Sequence, residues 1–361
     1  NIRTRVSSYF TASEQRRRMA EMVRVAERVV PIVCATAVEA NVREIRLIVA
    51  EQPRYNRRSR RPESQSWLKL TVEAAPRLAV VRRVDSDEAA GARYLGPFSS
   101  RASAALAAEA LLLAHPIRTC TTTLARAPRR STAACVLAEL DKCLAPCRSG
   151  ADVAAYAERV DRLRETMSGD LRAVARAVDE RMATLSAGER FEEAAVWRER
   201  LAQLVAGSVR AHRLRTLSSA GLLVAAEPTA DHGWDIHVIR HGRLVAAGHA
   251  PLSADPRAVV DALVATAEHI EPAPSPAPAA LLEESLLLLR WLDRDAVRLV
   301  RCDHPLDLPV HCGGHLEQRL TQVRDGWPRH ALTADLYREV GECSRPLGPV
   351  DARPVTRMLS A

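Results

Sequence analysis

The sequence predicts an α+β protein assembled from several modules. Stretches of helical period and stretches of strand period occupy separate regions of the chain, and a long charged helical run at 151–212 precedes a single clear hairpin pattern. The 361 residues suffice for two or three domains.

Each element follows from its local pattern. Residues 13–30 read as a helix, with Ser13 as a cap and Pro31 closing the pattern. The run 31–36 (PIVCAT) is β-prone, and 37–49 is helical again, stopping before Pro53. Residues 67–72 and 78–84 read as strands, and 100–114 as a small-residue helix ending at His115-Pro116. Within 151–212, Gly188 marks the turn of an αα-hairpin. Trp234, Ile236 and Val238 then alternate with Asp235, His237 and Ile239, and Arg240-His241-Gly242-Arg243 turns the chain into a β-hairpin. Residues 271–280 (EPAPSPAPAA) form an extended Pro/Ala linker. A Leu-rich helix at 281–293 and a strand at 297–301 follow. The implied division is 1–83, a cysteine-rich segment at 84–150, helices at 151–215, a hairpin region at 216–268, the linker at 269–280 and a terminal unit at 281–361 of unknown role.

Charge is unevenly placed. The net charge is +8, and residues 1–83 hold eighteen Lys or Arg against eight Asp or Glu, so this segment carries all of the excess. Such a face suits a polyanion or stands as a solvated basic surface. No apolar run approaches a membrane span. No secretory signal is read, so the expected compartment is the cytoplasm, where disulfides are disfavoured.

Cys120, Cys135, Cys143 and Cys147 are four of the chain's eight cysteines within twenty-eight residues. Gaps of fourteen, seven and three residues separate them. Four thiolates in one such unit can hold one soft metal centre, zinc or an iron–sulfur cluster. The bland alternative is a set of unconnected buried thiols. Cys302, His304, His311, Cys312 and His315 lack a usual zinc spacing and read as scattered structural residues. His232, His237, His241 and His249 read as surface positions on the hairpin.

On the helix 37–49, Ala37, Ala40, Asn41, Glu44, Leu47 and Ile48 share a face. An acid in that stripe must find a partner or neutralise. Glu44 is therefore either paired with a distant arginine or a functional acid, and the pattern leaves both open.

Tyr94-Leu95-Gly96-Pro97-Phe98, Pro116-Ile117-Arg118-Thr119-Cys120 and Cys143-Leu144-Ala145-Pro146-Cys147 resemble the UvrC subunit of the bacterial excinuclease, in order and over roughly the first 250 residues. In that family this stretch follows a GIY-YIG nuclease domain. The resemblance implies a partial GIY-YIG domain at 1–83, lacking the strands that bear the family's tyrosines, so the chain is expected to be an inactive form or a fragment of a longer protein. It implies Glu44 as ligand of one Mg2+ or Mn2+ ion, at the family's interval from Pro53-Arg54-Tyr55-Asn56. Gln52 replaces the family's arginine there. Arg5 aligns with the active-site arginine, which would stabilise charge on a phosphoryl oxygen, and Asn56 with the terminal asparagine. Arg3, Arg54, Arg57 and Arg58 are the expected DNA contacts. The four cysteines are implicated in a 4Fe–4S cluster, with zinc as the alternative.

The segment from Glu189 to Leu201 resembles the UVR motif, implying a hairpin that docks on a UvrB-like protein through Phe191, Ala194, Ala195, Arg198 and Leu201. The other reading is an amphipathic hairpin packed on its own domain. The implied function is incision of lesion-bearing duplex DNA on the 3′ side, as in Cho-type homologues; the second UvrC nuclease domain is not recognisable. The competing class is a non-catalytic DNA- and UvrB-binding module whose cysteine centre is structural.

Overall fold

The structure, a computed structural model, describes residues 2–11, 17–56, 65–122, 124, 136–140, 142–148, 150–273, 276–304, 313, 314 and 316. Three helices open the chain: α1 (Ile2–Ser8), α2 (Arg17–Val25) and α3 (Ala37–Glu51). The helix expected at 13–30 stops at Val25, and the described residues 26–30 are not helical. The expected strand at 31–36 does not form. Ile32 and Val33 there are exposed, and a β-prone run needs a neighbouring strand to pair with.

The start of α3 is fixed locally. Thr36 caps it by accepting from the Glu39 N–H, while the Glu39 carboxylate accepts from the Ala35 N–H at 2.7 Å. Gln52 adopts a left-handed conformation (φ 46°) that ends the helix before Pro53. The buried face of α3 is Val38, Val42, Ile45 and Ile48, not the stripe expected from the sequence. Ala37, Ala40, Asn41, Glu44 and Leu47 are exposed. Two overlapping apolar stripes run along this helix, and the one made of β-branched residues buries more area.

Strands β1 (Ser66–Leu70), β2 (Leu78–Val81) and β3 (Arg93–Phe98) form an antiparallel sheet in the order β2-β1-β3. Helices α4 (Arg101–Ala114), α5 (Val136–Glu139), α6 (Val153–Ser168), α7 (Arg172–Ala187) and α8 (Phe191–Ser219) follow. The helical run breaks twice, at Gly169 between α6 and α7 and at Gly188 between α7 and α8, where one turn was expected. Leu68, Leu95 and Phe98 of the sheet share a core with the alanines of α4, Leu163 of α6, Val178 of α7 and Leu204 of α8. Ala104, Ala107 and Ala110 are fully buried and let α4 approach its neighbours closely.

Strands β4 (Leu223–Pro228), β5 (Trp234–Arg240) and β6 (Arg243–Ala250), helices α9 (Pro256–Thr266) and α10 (Leu282–Leu292), and strand β7 (Arg298–Cys302) follow among the described residues. The second sheet is antiparallel throughout, in the order β6-β5-β4-β7. His241 and Gly242 turn the β5–β6 hairpin with φ of 49° and 79°, the left-handed pair that a two-residue hairpin loop requires. Because β7 pairs with β4, the hairpin region and the strand after the Pro/Ala linker share one sheet. Val224, Ile236 and Val238 face α9. Leu223, Ala225 and Ile239 face α10, together with Val38 and Val42 of α3 and Leu217 of α8. Helices cover both faces, so His237, expected at the surface, is fully buried.

Candidate functional site

Arg5 of α1 and Glu44 of α3 lie far apart in the chain but meet on the surface. The guanidinium Nη1 is 3.7 Å from Glu44 Oε1, with the side chains 65% and 50% exposed. Arg5 Nε also donates to the Tyr9 hydroxyl at 3.5 Å. That hydrogen bond first, and the Glu44 charge second, hold the Arg5 pKa above its ordinary value. An exposed pair of this kind contributes about 0–1 kcal/mol to folding, so stability gives little reason for the arrangement. Glu44 stands at the edge of the buried face of α3, about 100° around the helix from Ile45.

The Pro53–Asn56 turn is tied to α2. The Asn56 N–H donates to Pro53 O at 3.2 Å, the Tyr55 hydroxyl to Glu21 Oε1 at 2.8 Å, and Arg18 Nη2 to Arg54 O at 2.7 Å. Arg54 pairs with Glu21 at 3.2 Å while remaining 78% exposed. Arg3 is exposed on α1. Arg57 and Arg58 lie outside the described residues. Tyr9 and Glu21 were not singled out from the sequence; each is an ordinary surface residue until the fold brings its partner alongside.

An exposed carboxylate with a single loose ion pair is chemically suited to one hydrated divalent cation, which keeps several waters and takes one or two carboxylates. Among the described residues no group of three or more His, Cys, Asp or Glu is placed to hold a metal.

The cysteine segment is anchored by Arg118, which is 1% exposed. Its guanidinium donates to Ala75 O at 2.7 Å, Glu73 Oε2 at 2.5 Å, Thr122 O at 2.7 Å, Cys120 O at 3.2 Å and Cys120 Sγ at 3.5 Å. The Ala145 N–H points at Cys143 Sγ at 3.3 Å. The Tyr156 hydroxyl donates to Pro76 O at 2.7 Å and accepts from the Arg118 N–H at 3.2 Å. Its pKa is pushed up to about 12, chiefly by burial, with Cys143 and Cys120 adding to the rise. Cys120 and Cys143 each have an N–H directed at the sulfur. In donor type and in these N–H···S bonds the residues match a soft metal, but among the described residues Cys120, Cys143 and Cys147 are not gathered into a group that could hold one. Cys147 is half-buried, and Cys135 lies outside the described residues. Of the second cysteine and histidine group, Cys302 Sγ donates to His304 O at 3.0 Å, and His311, Cys312 and His315 lie outside the described residues.

The α7–α8 hairpin divides the expected partner face. Phe191 is 60% exposed at its tip and Arg198 is exposed, whereas Ala194 and Leu201 are buried and Ala195 is half-buried. Leu201 belongs to the hairpin's own core. The hairpin therefore packs on its own domain along most of its length and presents Phe191, with Val196 at 45% exposure, at its free end.

Comparison with known proteins agrees with this layout. Residues 1–57 match the UvrC-like GIY-YIG domain, and residues 65–166 match the UvrC/Cho excinuclease middle domain. A protein of Mycobacterium tuberculosis named a bifunctional exonuclease/endonuclease is 40% identical over 302 residues, 83% of this chain and 46% of the relative. UvrABC system protein C of Geobacter metallireducens is 32% identical over 252 residues, 68% of this chain and 39% of the relative. UvrABC system protein C of Moorella thermoacetica is 34% identical over 202 residues, 56% and 32% of the two chains. The chain spans less than half the length of these relatives. No solved structure matches it. The class defined by these consecutive segments is a nuclease-type domain followed by an excinuclease middle domain. Across them the chain is a member of the UvrC family. No described helix is long and apolar enough to cross a membrane.

Proposed function

We propose that this chain is part of a UvrC/Cho-type DNA-repair endonuclease that hydrolyses one phosphodiester of lesion-bearing duplex DNA, 3′ of the damage. The pairing of Arg5 with Glu44 on an exposed surface carries the reading, because it sets a cation and a carboxylate side by side with little benefit to stability. Glu44 would hold a single Mg2+ or Mn2+ ion, which when bound supplies Lewis acidity and an activated water. Arg5, fixed by Tyr9, stabilises charge developing on a phosphoryl oxygen. Asn56, in a turn tied to α2, would help organise the site. Arg3 and Arg54 hold the backbone of the duplex, as exposed guanidinium groups do. Phe191 anchors a UvrB-like partner at the hairpin tip, and Cys120, Cys135, Cys143 and Cys147 hold one iron–sulfur or zinc centre with a structural role.

The test uses the full-length protein and a duplex with a defined lesion. Glu44→Gln keeps the shape but removes the charge, so incision should fall by several orders of magnitude with DNA affinity nearly intact. Arg5→Ala should also slow incision. Wild-type incision by Glu44→Gln would rule out the catalytic assignment and favour a DNA- and UvrB-binding module.

A further inference from the structure

The second sheet does more than follow the nuclease segment in sequence: it grips the helix that carries Glu44. Arg46 lies two residues beyond Glu44 and so points from nearly the opposite face of α3. Its Nε donates to Glu284 Oε2 at 2.9 Å, and its Nη2 to Glu284 Oε1 at 2.6 Å and to Leu244 O at 2.7 Å. Glu284, on α10, is fully buried and also accepts from the Leu244 N–H at 2.9 Å. The start of α3 is held as well. Thr36, its cap, shares a 2.8 Å hydrogen bond with the buried ring of His237 on β5. Between these two points Val38 and Val42 enter the core of the second sheet.

We infer that the unit formed by β4–β7 and α10 is the platform that positions the Glu44-bearing helix, with Glu284 and Arg46 as positioning residues for incision. A buried carboxylate forked to a guanidinium fixes both rotation and translation of the helix, which apolar packing alone leaves softer. Misplacement of a reacting group by about 1 Å can lower a rate about 100-fold. The inference rests on the reading of Glu44 as a catalytic residue.

Full-length protein carrying Glu284→Gln, and separately Arg46→Lys, tests it. Arg46→Lys keeps the charge but loses the fork, which covers the case in which Glu284→Gln fails to fold. Hydrogen exchange of the α3 amides and incision of a singly adducted duplex are measured together, with Glu44→Gln as the reference. In the folded variants the α3 amides should exchange at least tenfold faster and kcat should fall tenfold or more, with DNA affinity unchanged. Movement of only one readout, or of neither, overturns the platform. If Glu44→Gln is inactive while both platform variants incise normally, the failure belongs to the platform alone. If Glu44→Gln itself incises normally, the nuclease reading fails and the platform falls with it.

Discussion

Gly207 sits where α8 crosses β3, and the Phe98 ring occupies the space a side chain would need. A Cβ built there would lie 2.3 Å from a ring carbon. Gly207→Ala should therefore destabilise the protein by about 1–3 kcal/mol through overpacking, seen as a lowered Tm, and a second change of Phe98→Leu should recover part of the loss. His237 is the other decisive residue. Burial lowers its pKa to about 4, and its ring stacks edge-on against Trp291 at 4.4 Å between centroids. The unfolded chain takes up a proton near pH 6.5 that the folded chain refuses until about pH 4. This contribution to stability is complete above pH 6.5, declines as pH falls toward 4, and changes no further below that. The loss is on the order of 3 kcal/mol. Urea unfolding at several pH values should show that slope in the wild type and a flatter one in His237→Gln. Neither residue was legible in the sequence as what it is. Strand alternation put His237 on a polar face, and only a sheet covered on both sides buries it. Glu44 could be placed on its helix, but the choice between two overlapping apolar stripes required knowing which one a sheet would cover.

Among the elements, the α7–α8 hairpin offers the sharpest contrast between inner and outer residues. Phe191→Ala removes an apolar group that is mostly in water, so stability should change by no more than about 0.5 kcal/mol. Binding to a UvrB-like protein should weaken by about 2 kcal/mol or more, measured by titration calorimetry. Unchanged affinity would return the tip to an intramolecular role. The β5–β6 turn at His241-Gly242 was readable because Gly242 takes a left-handed conformation at no steric cost, whereas at the α7–α8 turn Gly188 marks the place only as a poor helix former and Glu189 takes the left-handed position. Strand β3 was not, since Gly96-Pro97 reads as a turn; it pairs because the strand lies at the edge of its sheet, where a missing N–H is tolerated. The pairing of β7 with β4 was equally hidden, because the register of distant strands is set by the cores they cover and not by their own patterns.

For the molecule as a whole, the cysteine segment packs with the first core, and the second sheet belongs to separate ones. Cys143 is buried against the middle domain, so Cys143→Ala should lower Tm in the metal-loaded protein by more than in a metal-stripped sample, because metal binding and folding share the same free energy. Calorimetry with and without chelator separates the two cases; equal losses would argue against a metal centre. Helix α8 connects this region to the rest. Its 29 residues make a rod about 43 Å long. Leu201, Leu204 and Val205 lie in the first core and Leu217 in the second. Neither core can come apart without exposing a helix that the other still grips. Heat should therefore be taken up in one sharp peak rather than in two, and damage to either half would be felt as a loss of cooperativity by both.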